Sequence, residues 1–148
     1  MRAVVQRVSR AQVSVEGEVI ASIGRGYLIL LGVGHGDGDA EAEKLWQKIF
    51  KLRIFEDEAG KTNRSIKDVD GSVLVVSQFT LYASCKKGNR PSFTDAGSPD
   101  EAKRLYEHFC ELASADVAHV GHGSFGANMQ VELVNDGPFT IVLDTVEL

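Results

Sequence analysis

The residues best suited to do chemistry lie in one short segment, Ser77-Gln78-Phe79-Thr80, near the end of a predicted strand. Gln78 and Thr80 are expected on the same face, because side chains alternate along a strand. Thr80 supplies a hydroxyl that could act as a nucleophile, but a threonine nucleophile needs a neighbouring base. The sequence identifies no histidine, lysine or amino terminus for that task, so covalent catalysis by Thr80 is not favoured.

Other apparent motifs lack the surroundings that their chemistry needs. Residues 121–126 match G-x-G-x-x-G, yet the alternating segment that follows predicts a strand where a dinucleotide site requires a helix. His119 and His122 have no nearby third ligand, so no metal is predicted. Cys85 has no histidine placed to pair with it. We therefore expect a flexible, glycine-rich pocket wall at 121–126.

A basic loop at residues 85–97 contains Lys86, Lys87 and Arg90. With its aromatic neighbours Tyr82 and Phe93, it has the composition that proteins use to hold single-stranded nucleic acid ends. Short charge runs are more often solvated surface. Composition alone leaves both interpretations open.

Composition favours one domain, residues 1–148, in the cytoplasm. The chain is 43% hydrophobic, which suffices for a single core. Its formal net charge of −5 argues against a protein that coats nucleic acid through broad phosphate contacts. The longest apolar run, 27–33, is too short to span a membrane. The first residues lack the apolar block of a signal peptide.

Hydrophobic periodicity predicts an α+β fold with mostly antiparallel strands and two amphipathic helices. One helix follows N-cap residues at Asp37–Asp39, and the second runs from a capping box at Ser98 and Glu101 to about Ser114. Residues 57–65 are predicted to be a polar loop. The predicted strands cover 3–8, 12–16, 19–23 and 27–33 as consecutive antiparallel strands, then a buried central strand at 72–82, and later 116–120, 128–134 and 138–146.

In the segment Asn135-Asp136-Gly137-Pro138-Phe139-Thr140, a proline follows the glycine of a predicted hairpin turn. A trans proline there would only stop the strand ladder. A cis bond, found in about 5–6% of X-Pro bonds, would reverse the chain sharply and fix the directions of two successive carbonyls. Glycine at position 137 would remove a Cβ that could crowd a ligand.

The segments SQFTLY at 77–82 and NDGPFT at 135–140 resemble the two signature motifs of the D-aminoacyl-tRNA deacylases. The similarity extends along the chain through RAVVQRVSRAQVSVEGEV, GYLILLGV, RIFEDEAGK, GSVLVVSQFTLYA, RPSF and MQVELVNDGPFT. The family usually has a valine where Phe139 stands, so the packing of this loop is expected to differ.

The resemblance implies a deacylase-type fold, with sheets forming a barrel-like sandwich. It also implies a homodimeric enzyme without metal or organic cofactor, which hydrolyses the ester between a D-amino acid and the 3′-terminal adenosine of tRNA. The Gly137-Pro138 peptide would be cis and enter the partner's active site, where its carbonyls face the bound amino acid. A D-residue would fit, an L-residue would collide, and achiral glycine would not be excluded.

The resemblance further assigns roles to individual residues. Catalysis falls to Ser77, Gln78, Phe79 and Thr80, where backbone N–H groups polarise the ester carbonyl and the terminal ribose 2′-OH assists the attacking water. The adenosine pocket would be lined by Phe125 and Met129, the Gly137-Pro138 loop braced by Arg7, and the CCA end gripped by Lys86, Lys87 and Arg90.

Two other functions stay open at this point. One is a hydrolase of small D-amino acid esters or amides with Thr80 as nucleophile, which would turn over esters lacking ribose. The other is a non-catalytic dimeric module that binds tRNA ends without deacylation.

Overall fold

The computed structural model describes residues 1–148, which form a six-stranded mixed sheet, a small two-stranded hairpin and two α-helices. The helices are α1 (Asp39–Lys51) and α2 (Pro99–Asp116), and two short 3-10 helices cover Phe79–Tyr82 and Thr145–Glu147. The strands are β1 (Arg2–Val15), β2 (Glu18–Ile23), β3 (Gly26–Gly32), β4 (Phe55–Glu56), β5 (Thr62–Arg64), β6 (Ser72–Ser77), β7 (Val120–His122) and β8 (Met129–Asp144).

The long strand β1 organises the sheet. Along one edge, residues 2–8 pair antiparallel with β3 and residues 11–15 pair antiparallel with β2. Along its other edge, β1 pairs antiparallel with β8 over almost its whole length. Beyond β3 the sheet continues in parallel through β6 to β7. The sheet is therefore mixed, and β1 connects β2 and β8 to the remaining strands.

The sheet curls until it is nearly closed into a barrel, so the predicted α+β barrel-like fold is confirmed. At the closing seam, Nε2 of His119 lies 3.0 Å from the Ser22 carbonyl oxygen. A Cβ at Gly121 of β7 would lie 3.1 Å from the Ala21 Cβ of β2. The two ends of the sheet thus pack side by side without a shared strand ladder.

Both faces of β6 are buried, as its nearly continuous apolar sequence predicts. Val73 and Val75 face the larger core cluster, which the sheet forms with α1 and α2. Leu74 and Val76 face a second, smaller cluster on the opposite side of the sheet. Trp46 of α1 packs edge-on against Phe109 of α2 with ring centroids 5.7 Å apart, which fixes the two helices against each other.

The predicted division of the first and last strands is wrong. Residues 3–8 and 12–15 belong to one strand, β1, because its pairing with β8 continues past the polar pair Ser9 and Arg10. Residues 129–134 and 138–144 likewise belong to one strand, β8. The expected consecutive order is also wrong, since β2 and β3 both pair with β1 and not with each other.

Several element boundaries also differ from prediction. The central strand ends at Ser77, and residues 79–82 form a 3-10 helix. The predicted loop at 57–65 includes most of the short β4–β5 hairpin. The N-cap of α1 is Gly38, with no side-chain cap from an aspartate. Ser98 is the N-cap of α2, but its side chain makes no capping hydrogen bond, and the Glu101 side chain pairs with Arg104 one turn later. β7 begins at Val120, where the predicted strand 116–120 ends, because α2 continues to Asp116.

Neither helix combines the length and the apolar character needed to cross a lipid bilayer.

Candidate active site

A cavity of about 570 Å³ opens where β6 ends, between the 3-10 turn, the start of α2 and the glycine-rich segment before β8. Its walls include no charged side chain and no histidine, so its surface is apolar apart from a serine, a glutamine and backbone groups. The lining residues are Val33, Val76, Ser77, Gln78, Phe79, Phe93, Ala96, Gly97, Pro99, Ala102, Phe125, Gly126, Ala127, Met129 and Val131.

The turn at residues 79–82 is fixed by the strand next to it. The Gln78 N–H makes the last ladder bond to the Leu31 carbonyl, 2.8 Å away, and the Gln78 carbonyl then accepts the first bond of the 3-10 helix. A Cβ at Gly34 would lie 2.6 Å from the Tyr82 ring, so glycine at this position lets the turn pack closely. Phe79 and Thr80 begin the helix, and their N–H groups therefore have no carbonyl partner inside it.

The side chains around this turn do not alternate between two faces as they would in a strand. Gln78 and Thr80 do not share a face by strand alternation, because the backbone has already turned into the 3-10 helix. They meet nevertheless, since the Gln78 amide donates to the Thr80 hydroxyl. Phe79 is 54% exposed, and its ring packs edge-on against Phe93, with centroids 5.0 Å apart.

Arg2 holds the far end of the turn, a role that no sequence pattern indicated. Its Nη1 donates to the Leu81 carbonyl at 3.0 Å, and its guanidinium lies 4.4 Å from the Tyr82 ring centroid. Its Nε donates to Asp144 at 2.8 Å. Burial alone would raise the pKa of Asp144, but hydrogen bonds from Arg2 and the Val146 N–H hold it below its ordinary value. Asp144 therefore stays a charged partner for Arg2 at neutral pH.

The glycine-rich wall is supported from behind by α2. The Tyr106 hydroxyl donates to the Val75 carbonyl at 2.8 Å, and it lies 3.4 Å from the Gly123 carbonyl. Burial raises the pKa of Tyr106, so its hydroxyl stays protonated as a donor. A Cβ at Gly123 would lie 2.6 Å from the Met129 sulfur. Glycine at 123 therefore gives the Met129 side chain room to reach the cavity.

The segment 136–139 is a bulge in β8 and not the turn of a hairpin. In the register of β1 with β8, Gln6 is opposite Thr140 and Val8 is opposite Asn135. Four residues of β8 therefore face only Arg7, and they leave the sheet as a loop. The Gly137–Pro138 peptide bond is cis. A Cβ at Gly137 would collide with the Phe139 backbone nitrogen and would lie 2.8 Å from the Phe139 Cβ, so the loop itself requires glycine here.

Arg7 lies buried directly behind this loop. Its Nε donates to the Asp136 carbonyl at 2.9 Å, and its Nη1 donates to the Ile54 carbonyl. The guanidinium carbon lies 4.7 Å from the centroid of the Phe139 ring. The Phe139 ring therefore packs against the arginine, in a geometry typical of a cation–π contact.

The structure brings some of the expected site residues together and leaves others apart. Ser77, Gln78 and Phe79 share the cavity with Phe125 and Met129, whereas the Thr80 side chain is exposed beside it. The other expected residues do not line this cavity in the single chain. They are Arg7, Lys86, Lys87, Arg90, Gly137 and Pro138.

The remaining histidines, cysteines and carboxylates form neither a metal-binding group nor a disulfide. No group of three or more His, Cys, Asp and Glu side chains is placed to hold a metal ion. Burial raises the pKa of Cys110 to about 12, so its thiol is protonated at neutral pH. Cys85 is exposed and makes no disulfide.

Comparison with known proteins identifies close relatives along nearly the whole chain. A family model described as D-Tyr-tRNA(Tyr) deacylase matches residues 4–144. A D-aminoacyl-tRNA deacylase of Roseiflexus castenholzii is 60% identical over 146 residues, covering 98% of this chain and 92% of that protein. A D-aminoacyl-tRNA deacylase of Thermomicrobium roseum is 58% identical over 148 residues, covering 100% of this chain and 96% of that protein.

Two solved structures share the architecture. One, named c-Myc DNA Unwinding Element Binding Protein, superposes with a TM-score of 0.92 at 46% identity, covering 97% of this chain and 98% of that one. The other, described as a probable eukaryotic D-amino acid tRNA deacylase, has a TM-score of 0.85 at 17% identity, covering 96% and 97% of the two chains. At that identity, the second structure supports only the similarity of fold.

Replacing Gly137 with alanine is expected to destabilise the bulge, because the new methyl group must displace the Phe139 backbone. Overpacking of this kind costs about 1–3 kcal/mol. Chemical denaturation should show a free energy of unfolding lowered by that amount, and hydrogen exchange should show lost protection of the Phe139 amide. Gly24→Ala is the matched control, since a Cβ there meets nothing within 4 Å. Equal stability of the two variants would contradict the proposed collision.

Proposed function

The chain belongs to the D-Tyr-tRNA(Tyr) deacylase family, and from this premise we propose that it hydrolyses the ester bond between a D-amino acid and the 3′-terminal adenosine of tRNA. The reaction releases the free D-amino acid and a tRNA that can be charged again. The observation that supports this most directly is that Ser77, Gln78 and Phe79 of the first signature segment line a cavity of about 570 Å³ that has no charged side chain in its walls.

The cavity suits the terminal adenosine. Base rings bind well against apolar and aromatic walls, and a thioether packs favourably on a π-face. We assign Phe125 and Met129 to the adenosine pocket, because both line the same cavity as Gln78 and Phe79. Tyr106 does not line the cavity. It supports the cavity wall from behind, because its hydroxyl donates to the Val75 carbonyl.

The arrangement of polar groups favours catalysis by backbone and substrate over catalysis by a protein nucleophile. The N–H groups of Phe79 and Thr80 are free of partners within the 3-10 helix, so they can donate to the carbonyl oxygen as negative charge develops on it. No charged side chain or histidine lines the cavity to serve as a base. We therefore assign assistance of the attacking water to the ribose 2′-OH of the substrate.

The stereochemical filter is assigned to Gly137 and Pro138 of a second copy of the chain. This loop projects from β8 and does not line the cavity of its own chain. Near it, β8 exposes the side chains of Val134 and Val142, which are opposite Arg10 and Val4 of β1 and so share one face of the sheet, an apolar surface that a homodimer would bury. Carbonyl oxygens of the inserted loop would accept from the α-ammonium group and leave room on the adjacent face of Cα for hydrogen only.

The remaining assignments concern support and RNA contact. Arg7 braces the loop from behind through the Asp136 carbonyl. The exposed loop residues Lys86, Lys87 and Arg90 are assigned to phosphates of the CCA end. A chain of net charge −5 suits such a local grip, because only a few phosphates need be neutralised. We propose that residues 1–148 act as one domain, without metal or organic cofactor, in the cytoplasm where charged tRNA is used.

Purified protein is expected to hydrolyse D-Tyr-tRNA at least about 100-fold faster than L-Tyr-tRNA, the scale on which a pocket rejects a misfitting group. Gly-tRNA should also be hydrolysed, because a steric filter at Cα cannot exclude an achiral residue. Release of labelled amino acid from the three substrates measures this. Sparing of Gly-tRNA with rapid loss of D-Tyr-tRNA would contradict steric exclusion, and tRNA retention without any release would indicate a binding module.

Thr80→Ala is expected to slow D-Tyr-tRNA hydrolysis by no more than about tenfold, the effect of losing one hydrogen bond to Gln78. A substrate whose terminal 2′-OH is replaced by hydrogen should react about 100-fold more slowly or worse, as when an acid–base group is removed. Single-turnover rates measure both, with Thr62→Ala on the β4–β5 hairpin as the control. A loss of several orders of magnitude for Thr80→Ala, with turnover of D-amino acid esters lacking ribose, would restore Thr80 as nucleophile.

A further inference from the structure

The loop at 136–139 leaves the sheet at a point where backbone groups would otherwise lose their partners. Val8 is opposite Asn135 and Gln6 is opposite Thr140 in the register of β1 with β8. The carbonyl of Arg7, between them on β1, therefore has no β8 backbone opposite it. Unpaired polar groups of this kind are costly when they are withdrawn from water.

The side-chain amide of Asn135 fills this gap. Its Nδ2 donates to the Arg7 carbonyl at 3.0 Å and to the Phe139 carbonyl at 2.9 Å. Its Oδ1 accepts from the Phe139 N–H at 3.0 Å. The amide thus stands in for a peptide group of the missing ladder, and it joins both ends of the loop to β1.

The loop is held at both of its ends. Arg7 holds the Asp136 carbonyl at its start, and Asn135 holds both backbone polar groups of Phe139 at its end. Only Gly137 and Pro138 remain between the two attachments, and β1 has no residue in register with either.

From this geometry we propose that Asn135 is a positioning residue that sets stereochemical discrimination by holding the Gly137–Pro138 carbonyls in place. The inference rests on the proposed function and extends it to a side chain that does not touch the substrate. The position needs two donors and one acceptor, and the short, planar amide of asparagine supplies all three. Aspartate has nearly the same shape but, when ionised, has no donor and places negative charge against two carbonyl oxygens.

The test compares Asn135→Asp with Gln47→Glu, an amide-to-carboxylate change at an exposed position of α1. For each protein, kcat/KM is measured on D-Tyr-tRNA and on L-Tyr-tRNA. We expect the D-to-L ratio to fall about tenfold or more for Asn135→Asp, because two hydrogen bonds are lost at once. The ratio of Gln47→Glu should stay within about twofold of the wild type, as expected for an exposed surface change.

A merely structural role gives a different result. Asn135→Asp would then unfold at a lower temperature but keep the wild-type D-to-L ratio in its folded fraction, and that outcome would overturn the inference. If the aspartate variant does not fold, Asn135→Ser provides the same comparison without added charge, and it should lower the ratio in the same direction. A wild-type protein that hydrolyses D- and L-esters equally would instead overturn the proposed function, and with it this inference.

Discussion

The antiparallel pairing of β1 with β8 is the constraint on which the rest of the structure depends. It runs almost the full length of both strands, and it is interrupted where four residues of β8 face only Arg7. A bulge in an otherwise continuous ladder is held at both ends by strand, so its tip has far less freedom than the tip of a free hairpin. The chain thereby presents a rigid pair of residues, Gly137 and Pro138, on a surface away from its own cavity.

The same strand also positions the 3-10 turn at residues 79–82. Arg2, near the start of β1, reaches the Leu81 carbonyl and the Tyr82 ring, while its partner Asp144 is the last residue of β8. Arg7, five residues further along β1, reaches the bulge. One strand therefore braces both segments that the proposed reaction needs, although the two are not joined within a single chain. We infer that the proposed active site is assembled by pairing two copies of one rigid framework.

Sequence patterns predicted the larger features of this framework. The apolar run at 72–82 and the amphipathic pattern that follows Asp37–Asp39 indicated a buried strand and an amphipathic helix, and both are present. The two motifs indicated the family, which the comparisons confirm. These predictions succeeded because periodicity reports which face of an element is buried, and that burial decides the element type.

The details that failed depend on partners distant in sequence. The end of β6 at Ser77 follows from the close approach that Gly32 and Gly34 allow to Tyr82, some 50 residues later. β8 continues past Pro138 because the side chains of Arg7 and Asn135 make the hydrogen bonds that backbone groups at the bulge would otherwise lack. Asn135 stood within the second motif, yet no local pattern distinguished its amide from an ordinary turn residue.

The most direct test of the account is complementation between two defective subunits. Gly137→Ala disables the loop and leaves the cavity intact, whereas Ala127→Trp fills the cavity and leaves the loop intact. If each loop serves its partner's cavity, subunits mixed in equal amounts and allowed to exchange should recover about a quarter of wild-type D-Tyr-tRNA hydrolysis, one working site in each mixed dimer. No recovery, with exchange demonstrated by mass, would contradict the account, because it would mean that loop and cavity act within one chain.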